Sequence, residues 1–146
     1  MTATATTTTL PSLQCIVDNK DDLSDKYCHV ISGAWTPTTS GSSFWDPLDG
    51  SANYLQTAAS YTETARVQFT TTELPAGTYE VFAWWPVASN LSRTTAYDIY
   101  HAGGVATVRV DQSRSGGKWN SLGTYSFDAN SHTVEVQNSK SSSNTN

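Results

Sequence analysis

Short runs of alternating apolar and polar residues constrain the fold of this 146-residue chain more than any other feature. Ala65, Val67 and Phe69 are separated by polar residues, and residues 105–111 repeat the pattern. Successive side chains of a β-strand point to opposite faces of its sheet, whereas the apolar residues of an amphipathic helix recur every three or four positions. Each run therefore predicts a strand with one face in the core and one towards solvent.

Turn residues separate these strands at short intervals. Residues 74–77, Leu-Pro-Ala-Gly, predict a hairpin between strand 65–69 and the strand that follows the turn. Gly103-Gly104 predicts a hairpin into residues 105–111, and Ser115-Gly116-Gly117 predicts a further one. The remaining predicted strands are 15–17, 28–35, 79–85, 96–101, 119–127 and one around Val134 and Val136. Short strands at this spacing predict an all-β fold, an antiparallel β-sandwich of jelly-roll type.

Composition supports this class and excludes several functions. Only 14% of residues are charged, so Thr, Ser, Asn and Gly supply much of the polar surface, and the scarcity of Glu and Lys disfavours helices. Nucleic-acid affinity depends on clustered Lys and Arg, whereas here the eight basic residues are scattered and the net charge is -5. No apolar run reaches the ~20 residues needed to span a bilayer. We therefore expect no nucleic-acid and no membrane partner.

Catalytic motifs are missing from the sequence. His29, His101 and His132 stand apart from one another, without a nucleophile elbow, a metal-ligand spacing or a glycine loop for phosphate. A Ser-His-Asp set or a carboxylate pair could still assemble in space, but no local context marks one. We expect the histidines to be structural or to lie at the surface, and we expect the domain to have no catalytic activity.

An acidic turn offers the one candidate metal site. Its carboxylates provide hard oxygen ligands of the kind that calcium prefers. The glycine and final glutamate of an EF-hand loop are absent, and one short loop rarely supplies six or more ligands, so a solvated turn that caps its own backbone is the favoured interpretation. The candidate calcium ligands are Asp18, Asp21, Asp22 and Asp25. No other cofactor is expected.

Cys15 and Cys28 flank this turn and predict a disulfide between the first two strands. A disulfide that closes a loop of this length stabilises a fold by about 3 kcal/mol. Its presence would indicate an oxidising compartment. The alternative is two buried thiols in a cytosolic protein. Asn90-Leu91-Ser92 is a candidate N-glycosylation site in a polar loop, relevant only to a chain that passes through a eukaryotic secretory pathway.

An ordered series of short motifs runs through most of the chain. The motifs are Val17-Asp18-Asn19, Gly33-Ala34-Trp35, residues 74–81, Ala83-Trp84-Trp85-Pro86, residues 97–104, Asp111-Gln112, Trp119, Leu122-Gly123 and Phe127. Over about residues 16–138 the chain resembles the golvesin/xanthan lyase carbohydrate-binding-like domain. The resemblance implies a jelly-roll-like sandwich that serves as a non-catalytic accessory module in secreted polysaccharide lyases and cell-wall enzymes. It predicts an extracellular or cell-surface location, with a polysaccharide, a cell-wall glycan or the extracellular matrix as partner.

Two departures from that family lead to a second hypothesis. Residues 14–138 form the expected sandwich domain, but the apolar run with Ala-Asp-Ala-Val that usually ends the family is replaced by a polar tail at 139–146. A Thr-rich leader occupies residues 1–13 instead, and its alternation suits a strand. The candidate donor-strand residues are Thr2, Thr4, Thr6, Thr8 and Leu10. Added to the same molecule or to a neighbour, this strand would fill the open edge, and exchange between copies would build an extracellular filament, a homopolymer.

Aromatic residues are the candidates for glycan contact, because an aromatic face presents apolar area beside polar neighbours. Trp35, Tyr79, Trp84 and Trp119 lie in strands at positions of the family pattern, so we expect most of them in the core. Trp84 and Trp85 are adjacent and point to opposite faces, so one of them lies outside the inner core. The candidate contacts are Phe44, Trp45 and Tyr54, from the irregular segment 36–61, and Trp85.

Overall fold

A computed structural model describes residues 28–34, 36–38, 54–56, 62–72, 74–129 and 132–139. These residues form nine strands and no helix. The strands are β1 (Cys28–Ser32), β2 (Thr36–Thr38), β3 (Tyr54–Gln56), β4 (Arg66–Thr71), β5 (Gly77–Trp84), β6 (Thr95–His101), β7 (Gly104–Val110), β8 (Trp119–Phe127) and β9 (His132–Gln137). Nothing in these residues is a helix long and apolar enough to cross a membrane.

The strands pair antiparallel in three sheets. The largest has five strands in the order β1-β4-β9-β6-β7, β5 pairs with β8, and the short strands β2 and β3 pair with each other. The five-stranded sheet contributes Tyr97 and Ile99 to a core shared with the β5–β8 pair. The buried residues of this core are Ala83, Trp85, Tyr97, Ile99, Leu122 and Phe127. The predicted all-β antiparallel sandwich is confirmed.

Alternation correctly predicts the faces of the five-stranded sheet. Val67 on β4, Val136 on β9, Tyr97 on β6 and Val108 on β7 are successive Cα partners and share the face that packs in the interior. Ile99 is fully buried at the centre of this face. Removing a side chain of this size from water contributes roughly 1.5–3 kcal/mol, so the central row is a main source of stability.

Two of the predicted hairpins are wrong. The turn at residues 74–77 leads from β4 into β5, but β4 pairs with β1 and β9, whereas β5 pairs with β8 in the other layer. The turn at residues 115–117 likewise separates β7 from β8 without pairing them. Turn residues determine where a chain reverses, but the partner of each strand is chosen by tertiary packing. The hairpin at Gly103-Gly104 is confirmed, since β6 and β7 pair from His101↔Gly104 onward.

Candidate functional site

The outer face of the β5–β8 pair carries three aromatic side chains, which we name the aromatic surface. It consists of Phe82, Trp84 and Trp119. Trp84 and Trp119 are directly opposite each other across the two strands. Phe82 is 47% and Trp119 43% exposed, whereas Trp84 is half-buried. Exposed aromatic side chains grouped on one face make that face a candidate ligand-binding surface.

A β-bulge turns Trp119 outwards. Counting back in twos from buried Phe127 would direct Tyr125, position 123 and Trp119 towards the core. The register shifts between Val81 and Phe82, however, because Leu122 is an extra residue of β8 that no residue of β5 opposes. Gly123 has a φ of 115°, which only glycine adopts readily. From this point Leu122 faces the core and Trp119 faces solvent.

The loop before β8 is fixed to the end of β5 and so holds Trp119 in place. The indole N–H of Trp85 donates a hydrogen bond to the Arg114 carbonyl at 2.9 Å, and the Gly117 N–H donates to the Trp85 carbonyl at 2.8 Å. A Cβ at Gly116 would lie 2.3 Å from the Pro86 carbonyl oxygen, so only glycine permits this approach. The aromatic surface is therefore preformed on two strands and a braced loop.

Polar groups border the aromatic surface. The Ser121 hydroxyl donates to Glu80 Oε1 at 2.7 Å, and both residues are exposed on the same outer face. Exposed Lys118 immediately precedes Trp119. Aromatic faces with a few carboxylate and hydroxyl groups at their margin are suited to a ligand that has both apolar patches and hydroxyls.

A second polar cluster lies on the outer face of the five-stranded sheet. Glu135 and Asp98 are neighbours on β9 and β6, and both are buried. Arg66 Nη1 donates to Asp98 Oδ2 at 3.0 Å and also bonds Glu135 Oε2. The other donors to the two carboxylates are Gln68, Tyr100, Thr107 and Gln137. With its carboxylates satisfied internally, this cluster serves to hold strands together.

The cluster also shifts the pKa values of its members. Hydrogen bonds from Arg66 lower the pKa of the Glu63 carboxyl, and the same bonds, followed by those to Glu135 and Asp98, raise the pKa of the Arg66 guanidinium against the effect of burial. Burial, reinforced by the hydrogen bond to Glu135, raises the pKa of Tyr100. The cation therefore stays charged, and the tyrosine stays neutral, throughout the physiological pH range.

Comparison with known proteins assigns the family. The Golvesin C-terminal domain model matches residues 15–145. The chain belongs to the Golvesin C-terminal domain family. A xanthan lyase of Bacillus sp. (strain GL1) is 35% identical over 122 residues, which are 84% of this chain and 12% of the lyase. A solved structure of Paenibacillus xanthan lyase matches with a TM-score of 0.68 and 30% identity, covering 80% of this chain and 11% of that one. The chain thus spans about an eighth of the lyases that it matches.

The described part of this Golvesin C-terminal domain corrects two aromatic predictions. Trp85 is 5% exposed and lies in the core, so the prediction that it is a glycan contact is wrong. Of the four strand aromatics that we expect mostly in the core, Trp119 faces solvent, because the bulge reverses its direction, and Trp84 is half-buried on the outer face. Tyr79 packs against the core as expected. Phe82 was missed, although it precedes the Ala83-Trp84-Trp85 run on the face opposite to Trp85.

Other predicted sites fall partly or wholly outside the described residues. Backbone alone is described for Cys28 in β1 and Tyr54 in β3. Asn90 is exposed in a turn, where its glycosylation stays a prediction. The predicted sites outside the described residues are the donor-strand residues 2–10, Cys15, the acidic residues Asp18, Asp21, Asp22 and Asp25, and the aromatics Phe44 and Trp45. The disulfide, the calcium site and the donor strand therefore stay predictions.

Two described histidine side chains of the Golvesin C-terminal domain, His101 and His132, contact aromatic rings. His101 Nδ1 accepts a hydrogen bond from the Gly103 N–H at 3.1 Å, and its ring lies 5.3 Å from that of Tyr125. His132 is buried against Tyr79 and Phe127, and neither of its ring nitrogens has a hydrogen-bond partner among the described residues. Among the residues that the structure describes, no three His, Cys, Asp or Glu side chains form a metal-binding group.

Proposed function

We propose that this domain is a non-catalytic, extracellular glycan-binding module and that the aromatic surface is its contact with a polysaccharide. The observation that carries the proposal is the outward Trp119 opposite Trp84, with exposed Phe82 beside them. The apolar face of a sugar ring packs on an indole or phenyl face, while Glu80 and Ser121 are placed to bond sugar hydroxyls. A cell-wall or matrix polysaccharide is the class of ligand expected.

The size of the chain supports an accessory role. It corresponds to 12% of a xanthan lyase. The name of that enzyme describes the activity of the whole protein and not of this region. The charged cluster of the five-stranded sheet uses its carboxylates internally, and the described histidine side chains pack on aromatic rings. An accessory domain that keeps a secreted enzyme or a surface protein near its polysaccharide fits these features.

The test is polysaccharide binding by matched variants. Wild-type protein is titrated by calorimetry with xanthan, cellulose, chitin and soluble cell-wall fragments. Trp119→Ala and Phe82→Ala are expected to weaken binding at least ten-fold while the domain stays folded, because nearly half of each side chain is exposed. Val105→Ala, at an apolar residue of β7 that is 55% exposed, is the control and keeps the wild-type affinity. Unchanged affinity in both aromatic variants contradicts the proposal.

A second candidate function is a structural subunit of an extracellular filament that polymerises when residues 2–10 are donated to the next copy. The observation in its favour is that β7 ends the five-stranded sheet with one strand neighbour among the described residues. An open sheet edge recruits a further strand. Light scattering on a variant without residues 2–10 tests donation, since a filament subunit loses its polymers and a solitary glycan-binding module is unaffected.

A further inference from the structure

Along the edge of the five-stranded sheet, the backbone of β7 presents a row of groups that pair with no described residue. β6 and β7 pair from His101↔Gly104, and hydrogen-bonded and non-hydrogen-bonded pairs alternate along an antiparallel ladder. His101 and Gly104 are the pair that closes the tight hairpin, so Val105, Thr107 and Arg109 belong to the non-hydrogen-bonded pairs. Their backbone N–H and C=O groups point away from β6, and no described residue bonds them.

This edge lacks the usual devices that keep other strands away. β7 contains no proline, and its register with β6 has no bulge. Its one charged side chain, Arg109, bends back to the carbonyls of Thr94 and Ser139 at 3.0 and 3.2 Å, instead of projecting beyond the edge. Inward-pointing charges, bulges and prolines are how natural sheets block edge-to-edge pairing. β7 is therefore an edge to which a further strand could pair.

The edges of the other layer are better protected. The register of β5 with β8 is interrupted by the bulge, and Glu80 lies in the strand beside it. The Ser126 carbonyl of β8 already accepts the Ala102 N–H at 2.8 Å. Among β5, β7 and β8, only β7 has an edge without a bulge or an existing hydrogen bond to a described residue.

A segment of the sequence has the composition of a matching strand. Residues 2–10 are uncharged, rich in β-branched Thr and free of Pro and Gly. At about 3.3 Å per residue they extend about 30 Å, against about 23 Å for β7. β1, the first described strand that follows this segment in the chain, lies at the opposite edge of the five-stranded sheet from β7. A segment 2–10 of the same chain would therefore have to cross the sheet to reach β7, whereas that of a second molecule would not.

We propose that β7 is the acceptor edge of this domain and that its occupant is the segment 2–10 of a second copy, paired through the outward groups of Val105, Thr107 and Arg109. The inference rests on the second proposed function, strand donation, and assigns it a site. A strand added there becomes the sixth of the sheet, and its inward side chains cover Val108 and Val110, which are half-buried at the rim of the core.

The test compares two substitutions of one residue in the full chain. Val105 is 55% exposed and its N–H points to the open edge, so Val105→Pro removes an edge donor without removing a β6–β7 bond. Val105→Thr keeps the donor. By sedimentation velocity over a range of concentrations, we expect wild type and Val105→Thr to self-associate alike. Val105→Pro should raise the dissociation constant at least ten-fold.

Amide hydrogen exchange provides a measurement that needs no change in β7. Adding a peptide of residues 2–10 to a chain that lacks them should slow exchange at Val105, Thr107 and Arg109, and leave Ala106 and Val108, already bonded to β6, unchanged. Unchanged exchange at the three outward amides overturns the assignment to β7, as does wild-type association of a folded Val105→Pro. If removing residues 2–10 leaves self-association intact, donation itself is wrong. Glycan binding is read separately and is unaffected by either result.

Discussion

Asp98 and Glu135 lie side by side on β6 and β9, and both accept a hydrogen bond from the same nitrogen of Arg66. Both carboxylates are buried, whereas Glu63 bonds the remaining guanidinium nitrogens from a more exposed position. One arginine on β4 therefore partly compensates the charge of a carboxylate pair on β6 and β9. The geometry makes Arg66 the main electrostatic connection across the sheet.

Replacing Arg66 should destabilise the domain strongly. Arg66→Met keeps the aliphatic stem but leaves Asp98 and Glu135 as buried, uncompensated charges. Breaking a buried ion pair by removing one partner costs about 3–5 kcal/mol, because the remaining charge is no longer solvated or paired. Urea unfolding at neutral pH measures the loss. Glu63→Gln, which alters the exposed partner, should cost less than about 1 kcal/mol.

A double variant separates charge from packing. Arg66→Met with Glu135→Gln removes one of the two uncompensated charges, so we expect it to unfold at a higher urea concentration than Arg66→Met alone. A single Arg66→Met variant as stable as wild type would show that the shared guanidinium contributes little.

Alternation in the sequence correctly predicts much of the five-stranded sheet, because β4 and β7 keep a strict period of two. It fails for β8, where one inserted residue reverses the phase and moves Trp119 from the expected core to solvent. Gly123 is the local signal of the bulge, but a glycine in a strand does not by itself identify which residue is added. Long-range pairing of β5 with β8, and not with β4, is likewise set by packing between layers.

Gly123 is expected to control both stability and the position of Trp119. In Gly123→Ala the new Cβ would lie 2.9 Å from the Tyr125 hydroxyl at a φ of 115°, a strain of about 1–3 kcal/mol. We expect a lower urea midpoint and, where the bulge is lost, reduced quenching of tryptophan fluorescence by acrylamide. Gly103→Ala is the control, since its φ is not positive and its Cβ meets only the movable His101 ring. Equal effects of the two substitutions would contradict a special role for Gly123.

His132 should be replaceable by an apolar residue without loss of stability. Both ring nitrogens are buried without a partner in the described part of the chain. Burying an unsatisfied polar group costs free energy that an apolar side chain of similar size avoids. His132→Leu is therefore expected to unfold at the same or a higher temperature than wild type. His132→Asn, which keeps a polar group among Tyr79 and Phe127, should unfold at a lower temperature. A clear loss of stability in His132→Leu alone would indicate that the imidazole has a partner.

Because Tyr97 is buried, we expect the domain to lose stability at alkaline pH. Burial raises the pKa of its hydroxyl to about 12, although a hydrogen bond from Gln112 opposes the shift. Between pH 10 and 12 the Tyr97 hydroxyl ionises in the unfolded chain but stays neutral in the folded one. The free energy of unfolding is therefore unaffected by this group below pH 10 and falls as pH rises above it. A shift of this size corresponds to about 3 kcal/mol.

Urea unfolding between pH 8 and 12 measures this loss, and Tyr97→Phe is the matched variant. It lacks the ionisable group, so the slope of its stability against pH should be shallower. Part of the slope remains, because burial also raises the pKa of Tyr100. At neutral pH Tyr97→Phe should be about 1 kcal/mol less stable, since the amide of Gln112 loses its acceptor. An identical slope in the two proteins would mean that Tyr97 ionises as readily in the folded chain as in the unfolded one.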